Sequence, residues 1–344
     1  MKAMLFRGRS RASLLRYTEV PPAATECFIL TGYRSMGCSF SDCLFSAFRA
    51  TNETGNFWTH FLAVFIFGYH CVEFFSRRDA TGASCLLCLD PFYYPFWSYF
   101  AGVCGLLVVS SMAHLFSSMS LVIREICFCV DYGAIGTYTV GSALVYFYYI
   151  NPWLGVSPQL PLSAYIQLDW WFEVLYIPLC CLVALFCTLA CCHTRQRWQK
   201  HCYLIRTLVF LLPFTVVSLP IFYRLLVTTS GDSTQNLATS FLHHCLWLAA
   251  SAAFNITKIP ERLSPGKFDI WGGSHQWFHF CAFMSILEEL HMIQGEMEGL
   301  EDLLRPPTFL STFGVLLLLQ GCIAVVVCWF VLGYSSEGKK LERH

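Results

Sequence analysis

The sequence predicts an all-α polytopic membrane protein with eight transmembrane helices and a cytoplasmic N-terminus. Three observations carry that expectation. Of 344 residues, 56% are apolar and only 13% charged, about half the charged share of an ordinary soluble domain. Several windows stay apolar for twenty residues or more, the length a helix needs to cross a hydrocarbon core of about 30 Å. Basic residues are also distributed unevenly between alternate loops, which sets orientation. Lys+Arg and Asp+Glu balance at 22 each, so no bulk charge points to nucleic acid as a partner.

Residues 1–56 hold seven Lys/Arg and four Asp/Glu and read as a cytoplasmic N-terminal segment with a short amphipathic helix near Cys43 to Phe48. No apolar run precedes Pro21-Pro22, so the expectation is that the first span itself directs insertion. That span runs from about Phe57 to Phe75. The second extends from Tyr93 to Phe116 and the third from Ile126 to Ile150, where Asn151-Pro152 ends it. A loop without Lys or Arg leads to the fourth span, Trp170 to Cys192. After Arg195, Arg197, Lys200 and Arg206 comes the fifth, Thr207 to Thr229, which Pro213 and Pro220 should kink. Span six covers Ser240 to Asn255, and span seven covers His275 to Met292. An acidic extracellular loop at 294–307 then leads to span eight, about 308–333, and a basic cytoplasmic tail, 334–344.

Orientation follows from the loops. With the N-terminus inside, Arg124, the Arg195–Arg206 group, Lys258, Arg262, Lys267 and the tail residues Lys339, Lys340 and Arg343 all fall inside; only Arg77, Arg78 and Arg305 fall outside. The positive-inside rule selects this arrangement. Span seven is the least apolar, because His275, His279, Glu288 and Glu289 interrupt it; removing it would put the basic tail outside. The 19 cysteines are scattered through apolar segments and read as buried small hydrophobes, except that Cys191 and Cys192, beside basic residues at a membrane edge, suit palmitoylation.

His275 and His279 stand one turn apart on a helix, a spacing that lets two imidazoles grip one metal ion. The pair alone is also what a wetted polar helix end would show. Topology strengthens it. His114 lies in the inner half of span two, Asp131 near the inner start of span three, and Asn52, Glu53, Asn56 and His60 where span one begins. Ionisable groups at membrane depth are costly and face the bundle interior with a partner, so four helices bring their polar residues to one layer. His114, His275 and His279 make three neutral nitrogen ligands, the pattern of a zinc site with a fourth position open to water or substrate. Asp131 would act beside it as general base or orienting group, and Ser110, one turn before His114, as a hydrogen-bond donor to a polarised carbonyl. The alternative is a metal-free set of intramembrane hydrogen bonds.

Several blocks carry a family resemblance. Asn52-Glu53-Thr54-Gly55-Asn56-Phe57-Trp58-Thr59-His60, Ser110-Ser111-Met112-Ala113-His114, Asp131-Tyr132, Pro260-Glu261-Arg262, Phe268-Asp269-Ile270 and the His275/His279 pair resemble, in order and spacing, the signature blocks of the progestin and adipoQ receptor family. The eighth span resembles its membrane progestin receptor branch. The resemblance implies a seven-helix core with an inward N-terminus, zinc at His114, His275 and His279, and Ser110 and Asp131 around it. Gly273 departs from the pattern, since relatives often carry histidine there; that bears on the local loop more than on the ligands. Sequons at Asn52 and Asn255 fall on the cytoplasmic side or at a membrane edge and are expected to stay unglycosylated.

Two functions compete at this point. One is a plasma-membrane receptor for a steroid, a progestin or neurosteroid, signalling to cytoplasmic partners such as a heterotrimeric G protein, with membrane lipid around it. The other is a zinc-dependent amide hydrolase of ceramidase type, using Asp131 and Ser110. A purely structural zinc is the third possibility.

Overall fold

The computed structural model describes residues 13–78, 90–150, 172–196, 202–227, 232–298, 300 and 307–341. Arg197, Lys200, Arg305 and Arg343, which entered the orientation argument, lie outside them. Among the described residues the fold is all-helical, with ten α-helices and no strand beyond one isolated bridge between Leu15 and Tyr33. The helices are α1 (Phe40–Ser46), α2 (Thr54–Arg78), α3 (Tyr94–Phe116), α4 (Leu121–Val145), α5 (Ile177–Gln196), α6 (Cys202–Val217), α7 (Leu219–Val227), α8 (Asp232–Thr257), α9 (Ser274–Met297) and α10 (Val315–Leu341). Single π-helical turns extend α4 through Tyr146–Ile150 and precede α5 and α10.

Packing follows chain order round a closed ring: α2 against α3, α3 against α4, α4 against α5, α5 against α6, α6 against α8, α8 against α9, and α9 back against α2. Helix α10 lies outside the ring on α4 and α5. Five apolar helical stretches are long enough to cross a membrane (54–77, 91–116, 174–195, 234–257 and 310–333), and α6 with α7 makes a sixth if the bent pair is one span. The bend is 52°. It falls at Ser218, ahead of Pro220, whose missing N–H and ring clash end a helix there; Pro213 stays inside α6. Helices α4 and α9, expected as spans three and seven, carry Arg124, Glu125, Asp131, Glu288 and Glu289 and are less apolar than the five.

Boundaries differ from the sequence reading in several places: α4, α6 and α8 start at Leu121, Cys202 and Asp232, ahead of the expected Ile126, Thr207 and Ser240. Helix α9 continues to Met297, into the segment expected as an acidic loop, and α10 continues helical to Leu341, through most of the expected tail. Cys191 and Cys192 are each 0% exposed, turned into the packing between α4, α5 and α10, so neither thiol is presented for acylation.

The tightest crossing joins α3 and α4. A Cβ on Gly102 would sit 3.0 Å from Tyr138 Cα, and one on Gly141 would sit 3.0 Å from Tyr99 Cα. Backbone thus meets backbone in both directions, as small residues permit between membrane helices. A Gly141→Val substitution must push the pair apart, and overpacking of this kind costs about 1–3 kcal/mol. The expected result is a lower thermal midpoint in detergent; an unchanged midpoint would mean that the crossing is slack.

At the level of this crossing Glu289 of α9, 1% exposed, accepts hydrogen bonds from three phenols. Tyr138 lies at 2.5 Å and Tyr99 at 3.2 Å from Oε2, and Tyr146 lies 2.7 Å from Oε1. Tyr99 comes from α3, Tyr138 from α4 and Tyr146 from the π turn after it, so one carboxylate ties three elements. This group had no place in the sequence reading, where Glu289 only lowered the hydropathy of its span.

Candidate metal centre

Helix α9 begins at Ser274, and its N-cap position is Gly273, which has no side chain to cap the helix. Glu261 does so from the preceding loop: its carboxylate accepts the Ser274 N–H at 2.7 Å and also the Ser274 hydroxyl. Gln276 folds back to the same loop, accepting from Gly272 N at 2.9 Å and donating to Ile270 O at 2.7 Å. The Gly273 departure therefore falls at a crowded cap, where a Cβ would stand 3.2 Å from Phe268 O. Glu261→Ala leaves the Ser274 N–H and hydroxyl buried without their acceptor, a cost of about 1–3 kcal/mol. The expected outcome is a lower thermal midpoint with His275 less well held, read together as weaker metal binding; stability loss without any change in metal affinity would separate the cap from the site.

The capped helix delivers His275 and His279 beside His114, which lies near the end of α3. The three rings offer nitrogens that all lie within 4.8 Å of one another, and His114 Nε2 lies 3.2 Å from His275 Nε2. His114 Nδ1 bonds Glu53 Oε2 at 2.8 Å, and His279 Nδ1 bonds Asn56 O at 3.2 Å and Thr59 Oγ1 at 2.9 Å. A carbonyl and a carboxylate only accept, so both Nδ1 atoms carry hydrogen and both Nε2 lone pairs face the cluster. Ligating histidines are held in just this way by an acceptor on the far nitrogen. Two tetrahedral metal–nitrogen bonds of about 2.05 Å place their nitrogens about 3.3 Å apart. The 3.2 Å separation fits, and the group could hold a metal ion.

The layer around these rings is buried. Asn52, Glu53, Asn56 and His60 are each at most 9% exposed, and the His60 ring stacks on His279 at 3.7 Å with 15° between planes. Glu53 is the electrostatic hub. Burial by itself would raise its carboxyl, but His114, Arg124 and Arg34 hold it well below the usual carboxylate range. Asn56 Nδ2 donates to Glu53 Oε2 at 2.8 Å. Arg34, from the N-terminal segment, fixes the end of α3 by donating to His114 O at 2.6 Å and Leu115 O at 2.5 Å. Nothing in its local sequence distinguished it from the other basic residues before α2.

The remaining candidates behave differently from one another. Asp131 Oδ1 is closed off from solvent without a hydrogen-bond partner, and its carboxylate lies within electrostatic reach of His114. Ser110 is 2% exposed, on α3 one turn before His114. Of the sequons, Asn52 is 9% exposed and Asn255 is occupied with Thr207 Oγ1 at 3.2 Å and Lys258 Nζ at 3.4 Å.

Residues 48–288 match the family model described as haemolysin-III related. Human membrane progestin receptor gamma is 35% identical over 320 residues, covering 92% of this chain and 89% of that protein. Mouse membrane progestin receptor delta is 33% identical over 290 residues, 83% of this chain and 79% of its own length; mouse membrane progestin receptor beta is 28% identical over 334 residues, 95% and 86% respectively. The family match opens in the turn before α2, encloses Glu53 and all three histidines, and closes inside α9, so the chain belongs to the haemolysin-III related family, as its resemblance to progestin and adipoQ receptors leads one to expect.

Proposed function

We propose that the protein is a multi-pass plasma-membrane receptor for a steroid of progestin or neurosteroid type, with zinc held by His114, His275 and His279. The observation that carries the receptor reading is the extent of the similarity. Membrane progestin receptor gamma aligns over 92% of the chain, and membrane progestin receptor beta over 95%, which leaves too few residues outside the alignment to exclude the whole of α10. The family match, by contrast, ends at residue 288, so the likeness to these receptors extends past the shared core into α10. In this reading α10 is an eighth span, both termini face the cytoplasm, and a heterotrimeric G protein is met by the basic inner loops. The test is saturable binding of tritiated progesterone to the full chain in lipid nanodiscs, against empty nanodiscs. Binding that saturates and is competed by unlabelled steroid supports the proposal, and counts equal to the empty discs would remove the steroid.

A second reading has its own support in the unpartnered Asp131 Oδ1 beside the three histidines. A buried carboxylate oxygen with no donor is costly unless something fills the gap, and a water at that place would suit an amide hydrolase. Zinc, when bound, supplies Lewis acidity at its open position. The chain's own groups would do the rest: Asp131 accepts a proton from the attacking water, Ser110 donates a hydrogen bond to the amide carbonyl, and Glu53 and Asn56 keep His114 and His279 in orientation. Fatty-acid release from ceramide by the purified protein, lost in Asp131→Asn, is the expected result for this alternative.

A further inference from the structure

Helix α1 presents an apolar face that no described residue covers. Phe45 is 67% exposed and Phe48, just beyond the helix, 80%; Phe40 and Leu44 are 58% and 42% exposed, while Cys43 and Ser46 face inward. The helix is bound at both ends to the same end of the bundle. Phe40 stacks on Phe116, the last residue of α3, at 5.0 Å. On the other side Trp58, in the second turn of α2, donates from Nε1 to Ala47 O at 2.8 Å.

What covers this face is indicated by its continuity with α2. The Phe48 ring meets Trp58 at 5.7 Å, Trp58 meets Phe61 at 5.6 Å, and Phe61 meets Phe65 at 5.4 Å. Phe65 belongs to the outward stripe Leu62, Phe65, Ile66, Tyr69 and Val72, which is 46–65% exposed on a helix apolar enough to cross a membrane. On a membrane-spanning helix such a stripe meets acyl chains, and the aromatic contacts carry the same apolar surface without a break onto α1. Trp58, in the second turn of α2 where the two surfaces meet, is of the residue type whose amphipathic ring prefers the headgroup level. The polar side is capped locally, with Asp42 N donating to Ser39 Oγ at 3.2 Å and Ser39 N to Asp42 Oδ2 at 3.1 Å.

We infer that α1 lies in the interface of the phospholipid leaflet at the α2 N-terminal end, with Leu44, Phe45 and Phe48 among the acyl chains. Such a segment sinks its apolar face about 5–10 Å into the headgroup boundary. The contact reaches the metal centre through one side chain, because Arg34 Nη1 bonds both Ser46 Oγ of α1, at 2.9 Å, and Leu115 O, while Nη2 holds His114 O. A second copy of the chain or another protein seated on α1 is the competing occupant.

The experiment places the photo-crosslinking residue p-benzoylphenylalanine at position 45, 48 or 65 of the full chain. Each variant is reconstituted in phosphatidylcholine nanodiscs holding one chain, and lipid adducts are read by intact-protein mass spectrometry. The expected result is a phosphatidylcholine adduct at 45 and 48 as well as at 65, the lipid-facing control on α2. Labelling at 65 with none at 45 and 48 overturns the proposal. So does a protein–protein crosslink from 45 or 48 in vesicles, at chain densities where copies can meet, in place of the lipid adduct.

Discussion

Purified His279→Ala protein is expected to contain no stoichiometric metal, where the unsubstituted chain contains about one ion. Structural zinc sites with four ligands gather about 10–16 kcal/mol, so one ligand in four is worth roughly 3–4 kcal/mol. Its loss weakens binding by about two to three orders of magnitude. His279 is the instructive choice because its Nδ1 is already satisfied by Asn56 O and Thr59 Oγ1, so its Nε2 is spare for a ligand. Glu53→Gln should fall between, about 10–100-fold weaker than the intact site, since an amide oxygen still accepts from His114 Nδ1 but without charge. Elemental analysis by plasma mass spectrometry after dialysis reads all three. Metal retained in His279→Ala would move the site elsewhere, and none in the unsubstituted chain would leave the three rings to hydrogen bonds alone.

The second large effect is expected at Glu289. Alanine there removes the acceptor from Tyr99, Tyr138 and Tyr146 together. Hydrogen bonds between membrane helices average about 0.6 kcal/mol in double-mutant cycles, with a maximum near 1.7, while bonds to charged groups in soluble proteins reach about 1.5–3. Three bonds on one buried carboxylate therefore place Glu289→Ala at about 2–5 kcal/mol of destabilisation. Tyr138→Phe should cost about 0.6–1.7 kcal/mol, and in the Glu289→Ala background almost nothing, because its partner is already gone. Reversible unfolding in mixed micelles measures the cycle. A Tyr138→Phe cost that stays the same in both backgrounds would show that the cluster is not a unit.

How much of this was legible before the structure depends on whether a contact follows from periodicity and depth or from side-chain direction. His275 and His279 were legible because i and i+4 share a helix face. His114 joined them because alternating spans put the end of one helix and the start of another at the same depth. The same reasoning gathered Asn52, Glu53, Asn56 and His60, and the structure gives Glu53, Asn56 and His60 direct contacts with the histidines. Arg34 was not legible. Its role rests on reaching two backbone carbonyls some 80 residues away, and a carbonyl leaves no mark in sequence. The tyrosines on Glu289 were hidden for a related reason: Tyr99, Tyr138 and Tyr146 stand in apolar helices where an aromatic residue is ordinary, and only the packing angle of α3 on α4 turns their hydroxyls to one point. The bend between α6 and α7 was signalled by its prolines, although only Pro220 produces it.

The ring closes where α9 returns to α2, and that closure also sets a clock. His114 and His275 are 161 residues apart in the chain. At a synthesis rate of about 5–20 residues per second, roughly 8–30 s pass between the emergence of the first ligand and that of the second. During that time Glu53 and His114 are a half-built pocket inside a nascent protein, and no ion can be held there until the last helix of the ring arrives. Binding strength alone discriminates poorly among divalent metals, so cells rely on geometry and on which ion is at hand. For the proposed site, then, the ions at hand where the protein is made, in the seconds after α9 joins the ring, would be the first to reach the completed set of three histidines.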